Sequence, residues 1–233
     1  MARQPAPGED ALAALETRLG WRFVTRAHLV EALRHSSASD GKPGPPDNER
    51  LEFLGDRVLG LVVAEHLFAR RPPLSESELA QGLNALVNRG ACARAARRVD
   101  LGAALTLSKS EAQGGGRNKE TILGDACEAL IAALYLDGGM APARGFIERF
   151  WAEEFAALDA ARRDAKSRLQ EWAAANKRAL RYDIVERSGA DHAPNFIIEA
   201  IVDGFAPARG EGGSKREAEQ NAAAILLKEI VDE

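Results

Sequence analysis

Residues 121–136 read TILGDACEALIAALYL. At helical spacing the segment is apolar or small on every side except at Asp125 and Glu128, which lie one turn apart. No Lys, Arg or His occurs between Glu120 and Arg144. A helix that is apolar all round is a buried helix. A buried carboxylate normally pairs, takes up a proton or binds a metal. The stretch therefore predicts a buried helix carrying two acids in need of a cation.

Helical spacing continues on both sides. Leu12, Leu15 and Leu19 mark a first helix that Gly20 stops. A second covers about 26–34. HSSASDGKPGPPDN (35–48) reads as a loop. A long helix capped by Asp47 or Asn48 runs to Phe68, and Pro72 and Pro73 break the chain after it. Helices are predicted over 75–88 and 89–98, a flexible loop over SEAQGGGRN (110–118), and a last helix over about 142–157. The polar stretch AALDAARRDA (156–165) then marks a domain boundary. Beyond it, KSRLQEWAAAN (166–176) is a helix. RYDIVERSG (181–189) and NFIIEAIVD (195–203) are strands, GFAPARGEGG (204–213) holds a short strand or loop, and SKREAEQNAAAILLKEI (214–230) is a closing helix started by a Ser214–Glu217 capping box. The expected fold class is an all-α domain over residues 1–157 followed by a small α+β domain, α-β-β-β-α, over 164–233.

The long helix holds a second set of acids. Glu49, Glu52 and Asp56 share one stripe, and Leu51, Leu54, Val58, Leu61 and Val62 form a core stripe opposite. Two carboxylates 6 Å apart repel by roughly 3 kcal/mol at an effective dielectric of 20, so several gathered together require a cation. An ion pair with Arg50, Arg57 or Lys119 is one solution; a divalent metal is the other. Carboxylates without His or Cys suit a hard ion, Mg²⁺ or Mn²⁺. A di-iron bundle would need Glu-x-x-His pairs, and none of the four histidines follows that pattern.

NERLEFLGD (48–56) resembles the signature of bacterial ribonuclease III, and Asp125-Ala-Cys-Glu128-Ala-Leu resembles that family's second acidic motif. The likeness covers nearly the whole chain. It implies a Mg²⁺-dependent endoribonuclease (Mn²⁺ substituting) that cleaves double-stranded RNA with metal-activated water. It leaves 5′-phosphate and 3′-hydroxyl ends with short 3′ overhangs. The implied substrates are ribosomal RNA precursors and structured messenger RNAs in the cytoplasm. By position, Glu52, Asp56, Asp125 and Glu128 match the metal-binding carboxylates, with Asp56 and Glu128 least replaceable. Glu49 and Glu76 match auxiliary acids, Glu78 being the fallback for Glu76. Phe53 matches a position that packs into the partner subunit of a homodimer. One departure is Arg57, where the family usually has Ser; lying beside the acidic stripe, it is expected to have little effect on the metal.

The α-β-β-β-α unit resembles a double-stranded-RNA-binding domain at Gln170, His192, Lys215 and Arg216. A helix and a loop each offer a polar side chain to successive minor grooves of A-form RNA. A basic helix start meets the phosphates between them. From Asp164 onward there are 10 basic and 13 acidic residues, so the acids must keep clear of the binding face. Ala174 stands where some relatives carry another polar contact.

Composition excludes other classes. The net charge of −4 gives no global attraction for nucleic acid, so binding depends on local patches or metal ions. The two cysteines make neither a disulfide framework nor a zinc site. No apolar run approaches a membrane span, and the start MARQPAPGED lacks the layout of a signal peptide.

Overall fold

The computed structural model describes residues 8–39, 44–70, 74, 76–163, 165–190 and 193–231. These fall into two compact units, one within 1–68 and 76–154, the other within 69–75 and 155–233.

The first unit is helical. Its elements are α1 (Glu9–Leu19), α2 (Arg26–Ala32), α3 (Glu49–Phe68), α4 (Glu76–Leu86), α5 (Arg89–Arg98), the one-turn α6 (Leu101–Ala104), α7 (Lys109–Gln113), α8 (Glu120–Gly138) and α9 (Met140–Phe150). Helix α8 is the axis of the unit, packed by α2, α3, α5 and α9. Covered from several directions, it buries residues on every side, among them Ile122, Cys127, Leu130, Ile131 and Leu134. Each such aliphatic side chain contributes about 1.5–3 kcal/mol on burial. Small residues let the neighbours close in. A Cβ on Gly55 of α3 would fall 1.7 Å from the carbonyl oxygen of Glu128, so the two helices cross backbone to backbone there.

That crossing changes the predicted core stripe of α3. Gly55 must face α8, so the buried set is Leu51, Gly55, Val58, Leu59, Val62, Val63 and Leu67. Leu61, expected in the core, is half exposed, and Phe53 is more exposed still.

Two further expectations are corrected. SEAQGGGRN is not an open loop: α7 and a 3₁₀ turn (Gly116–Asn118) occupy most of it. The Ser108 hydroxyl caps α7 by accepting from the Glu111 N–H (3.1 Å). Arg117 donates to the carbonyls of Gly102 (2.7 Å) and Leu105 (2.9 Å). The glycine at 116 serves close approach, since a Cβ there would lie 2.7 Å from the Glu111 carbonyl. The helix predicted over 142–157 is in fact two. It breaks at Trp151, whose buried indole N–H donates to the Leu86 carbonyl (2.8 Å), and α10 (Ala152–Arg163) follows. The boundary stretch is thus helical as far as Arg163.

The second unit holds α11 (Ala165–Ala175), β1 (Leu180–Ala190), β2 (Ala193–Val202), β3 (Ala208–Gly212) and α12 (Lys215–Val231). The sheet is antiparallel in the order β1-β2-β3, with a bulge in β1 between Ile184 and Glu186. Leu169 and Ala173 of α11, Ala200 and Val202 of β2, Ala208 of β3, and Ala222, Ala223 and Leu226 of α12 form its core. Strand β3 alternates buried and exposed residues, and Gly210 permits α12 to lie against it: a Cβ there would meet the Ala222 nitrogen at 2.1 Å. The Ser214 hydroxyl accepts from the Glu217 N–H (3.2 Å), while the Glu217 carboxylate accepts from Gly213 N–H (3.0 Å), one residue earlier than in a standard capping box. The predicted α-β-β-β-α layout is therefore present.

Candidate functional site

The α3–α8 crossing at Gly55 gathers the acids. Glu52 and Asp56 flank it on α3; Asp125 and Glu128 meet it on α8. Glu128 lies deepest. Burial, then the charges of Glu52 and Asp125, push its carboxyl up to about 7, against a hydrogen bond from Cys92 and the charge of Arg89. Glu52 is raised by burial first and by Asp125 next. Asp125 is raised by burial, which Arg89 and His35 partly offset. Glu52, Asp125 and Glu128 thus form one electrostatic group.

Asp56 stands differently. Its carboxylate is paired with the guanidinium of Arg57, which also lies 5.1 Å from the Phe53 ring centroid. Arg57 therefore touches the acidic stripe directly, as the ion-pair alternative had it, instead of merely lying beside it. Glu49 is exposed at the first residue of α3 and adds its charge to that felt by Glu52. Glu76 opens α4 and lines a groove with Ala64, Glu65 and Phe68 at the other end of α3. The chain itself does not bring Glu76 to Glu52 and Glu128.

Among the described residues, no three carboxylates converge closely enough to hold an ion as they stand. The donor chemistry nevertheless fits one. Three partly buried, mutually repelling carboxylates without an imidazole ligand are the setting of a hard divalent cation.

Two neighbours of the acids escaped the sequence reading. Arg89 reaches Asp125 from the start of α5, Nε to Oδ1 3.8 Å. The buried thiol of Cys92, on the same helix, donates to Glu128 Oε1 at 3.4 Å. One signal was available. Gly124 precedes Asp125, and a glycine inside a helix marks a close neighbour. That neighbour is Arg89, whose Cγ would lie 2.8 Å from a Cβ at 124. Of the other predicted cations, Lys119 bonds Glu111 (2.5 Å) and so is engaged elsewhere.

Phe53 is 68% exposed, and Leu61, Phe68 and Leu136 are exposed on the same unit. A groove of about 600 Å³ runs beside Phe53, lined by His28, Glu49, Leu54 and Leu136 among others.

In the second unit, Gln170 is exposed on α11, and Lys215 and Arg216 are exposed at the start of α12. His192 lies outside the described residues. Ala174 is exposed one turn after Gln170. Several of the unit's acids are already engaged: Glu199 with Arg209 (2.8 Å), Glu219 with Lys166 (2.5 Å) and Asp183 with Arg181 (3.1 Å).

Fold and site define a two-domain protein: a helical domain with carboxylates gathered at a helix crossing, then a small α-β-β-β-α domain with a basic helix start. Comparison with known proteins agrees with both halves. Residues 27–155 match the family model "Ribonuclease-III-like", and residues 165–230 match "Double-stranded RNA binding motif". Ribonuclease 3 of Phenylobacterium zucineum is 51% identical over 219 residues, covering 93% of this chain and 92% of that one. Ribonuclease 3 of Rhodobacter capsulatus is 50% identical over 222 residues, covering 94% and 96%. The nuclease domain of ribonuclease III from Campylobacter jejuni, described as flexible in a region involved in dimer formation, superposes with a TM-score of 0.58 at 37% identity. It covers 62% of this chain and 99% of that one. The chain belongs to the ribonuclease III family.

Proposed function

We propose that this protein is an endoribonuclease that hydrolyses double-stranded RNA with the help of Mg²⁺, Mn²⁺ substituting. The observation that carries the reading is the group Glu52, Asp125 and Glu128 at the Gly55 crossing, in a chain that also holds a double-stranded-RNA-binding motif. Glu52, Asp56, Asp125 and Glu128 are the metal-binding set, with Asp56 turning from Arg57 to join it. An ion held by these carboxylates would offset the charge of the scissile phosphate and lower the pKa of a water, so that hydroxide would be available for the attack. The chain's own part is placement. The backbone contact at Gly55 fixes the spacing of the carboxylates, and the Cys92 thiol orients the Glu128 carboxyl. Attack by water leaves a 5′ phosphate and a 3′ hydroxyl. Glu49 and Glu76 serve as auxiliary acids.

Phe53 and the apolar surface around it support a homodimer, each subunit cutting one strand to leave short 3′ overhangs. A catalytic domain over 1–157 and an RNA-binding domain over 164–233 divide the work. Gln170, His192, Lys215 and Arg216 hold the duplex by shape and phosphate charge. Ribosomal RNA precursors and structured messenger RNAs in the cytoplasm are the substrates. Among the described residues no helix is long and apolar enough to cross a membrane.

The test is cleavage of a long RNA duplex in Mg²⁺ by the wild type and by Glu128→Ala. Cleavage abolished with duplex binding retained is the expected result. Equal activity in both would remove Glu128 from catalysis. Duplex binding without cleavage by the wild type, in Mg²⁺ and in Mn²⁺, would make the protein a binder and not an enzyme.

A further inference from the structure

Arg89 occupies a position that local helix energetics disfavour. It is the first residue of α5, where the helix dipole opposes a positive side chain. Its backbone is nonetheless firmly placed. Asn88 caps α5, its side-chain oxygen accepting from the Ala91 N–H (3.0 Å) and its amide donating to the Ala85 carbonyl (2.8 Å). Gly124 clears the space its stem runs through. The guanidinium that results is 61% exposed and lies 3.8 Å from Asp125, its ion-pair partner among the described residues. It is also close enough to act on Glu52 and Glu128. The neighbouring turn of α5 carries Cys92, bonded to Glu128. One short segment of α5 thus brings a solvated cation and a hydrogen-bonded thiol to the same group of acids.

We propose that Arg89 is a positioning residue, a resident counter-ion that steadies the Glu52–Asp125–Glu128 group until a divalent ion arrives and then yields to it. The proposal rests on the metal-binding reading given above. Its exposure suits it to the role: a solvated guanidinium swings away at little cost, whereas a buried one would block the ion. A cation that holds the acids together competes with the metal, so removing it strengthens metal binding while weakening the protein without metal. Both effects follow from one linkage cycle.

The experiment compares wild type, Arg89→Gln and Arg89→Lys by thermal melting in EDTA and in saturating Mg²⁺, and by Mn²⁺ titration calorimetry without RNA. In EDTA, Arg89→Gln is expected to melt below the wild type, and Mg²⁺ is expected to close the gap. Its Mn²⁺ affinity is expected to rise roughly two- to fivefold, the scale of an exposed ion pair. Arg89→Lys, which keeps the charge, should stay near the wild type in all three measurements. An equal melting deficit in EDTA and Mg²⁺ would make Arg89 a packing residue and overturn the proposal. If the wild type binds no Mn²⁺, the metal-binding reading itself fails and Arg89 falls with it; if the wild type binds and Arg89→Gln binds identically, only Arg89 falls.

Discussion

Glu128 carries a carboxyl displaced from its ordinary value of 4.5 to about 7, mainly by burial and next by Glu52 and Asp125. Below about pH 4.5 it is protonated in the folded and unfolded chain alike and changes nothing. Between there and about 7 the folded chain keeps a proton that the unfolded chain has lost, so stability falls as pH rises. Above 7 the folded protein bears the full cost of a charge held among other acids. Glu128→Gln should therefore stabilise the protein in EDTA at pH 8 by about 1–2 kcal/mol, a figure discounted because part of the group meets water. At pH 4.5 the two proteins should be equal. Urea denaturation at both values checks this, and a stability gain that persists at pH 4.5 would trace to packing instead. Saturating Mg²⁺ should reverse the order at pH 8, since only the wild type keeps the full set of acids. That Asp125 and Glu128 sit on a buried helix in company with other acids was legible in the sequence, because acids inside an apolar helix have few explanations. Gly124 signals only that something packs closely there; that it is Arg89, with Cys92 on the next turn, was not legible, because which face of α5 meets α8 is set by packing across some 35 residues of chain.

At the scale of elements, the site depends on how closely α3 and α8 approach. Gly55 makes that approach possible, and no other residue type fits 1.7 Å from a carbonyl oxygen. Gly55→Ala is expected to cost about 3 kcal/mol, read as a lower denaturant midpoint, because backbone and not a flexible side chain must move. It should also weaken Mn²⁺ binding, since Glu52 and Asp56 shift away from Glu128. Unchanged metal affinity in a destabilised variant would separate the crossing from the site. The order of elements followed from periodicity, but two local features did not. The glycines of SEAQGGGRN carry the composition of a flexible loop, yet at 116 glycine is there so that the backbone can pack on Glu111. The break at Trp151 has no Gly or Pro to announce it. It arises because the indole bonds the Leu86 carbonyl, a contact set by tertiary structure. The exposure of Leu61 has the same origin: periodicity identifies an apolar stripe, but the glycine that permits contact decides which edge of it is buried.

At the scale of the whole molecule, one unit presents apolar surface and the other presents charge. Phe53, Leu61 and Phe68 are exposed aromatic and aliphatic residues on one helix, the kind of surface that a partner subunit covers. If Phe53 anchors the dimer, Phe53→Ala should weaken it by roughly 30-fold, the scale of an aromatic anchor, as measured by sedimentation equilibrium. An unaltered dimer would remove Phe53 from the interface. RNA binding has a different signature. With a net charge of −4, the protein as a whole repels a duplex, so the few exposed cations at the start of α12 must act locally. Phosphate contacts release counter-ions, and each one lost lowers the salt slope of binding by about one. The double variant Lys215→Ala/Arg216→Ala should thus bind every duplex more weakly, by a similar factor whatever the sequence. Its plot of log affinity against log KCl concentration should be shallower by about two. Fluorescence anisotropy with two unrelated duplexes measures both quantities. A loss confined to one sequence would mean base readout, and an unchanged slope would mean that these side chains do not touch phosphate. Since α12 caps its own first turn through Ser214 and Glu217, the substitutions leave the helix start intact and the loss reports on the charges alone.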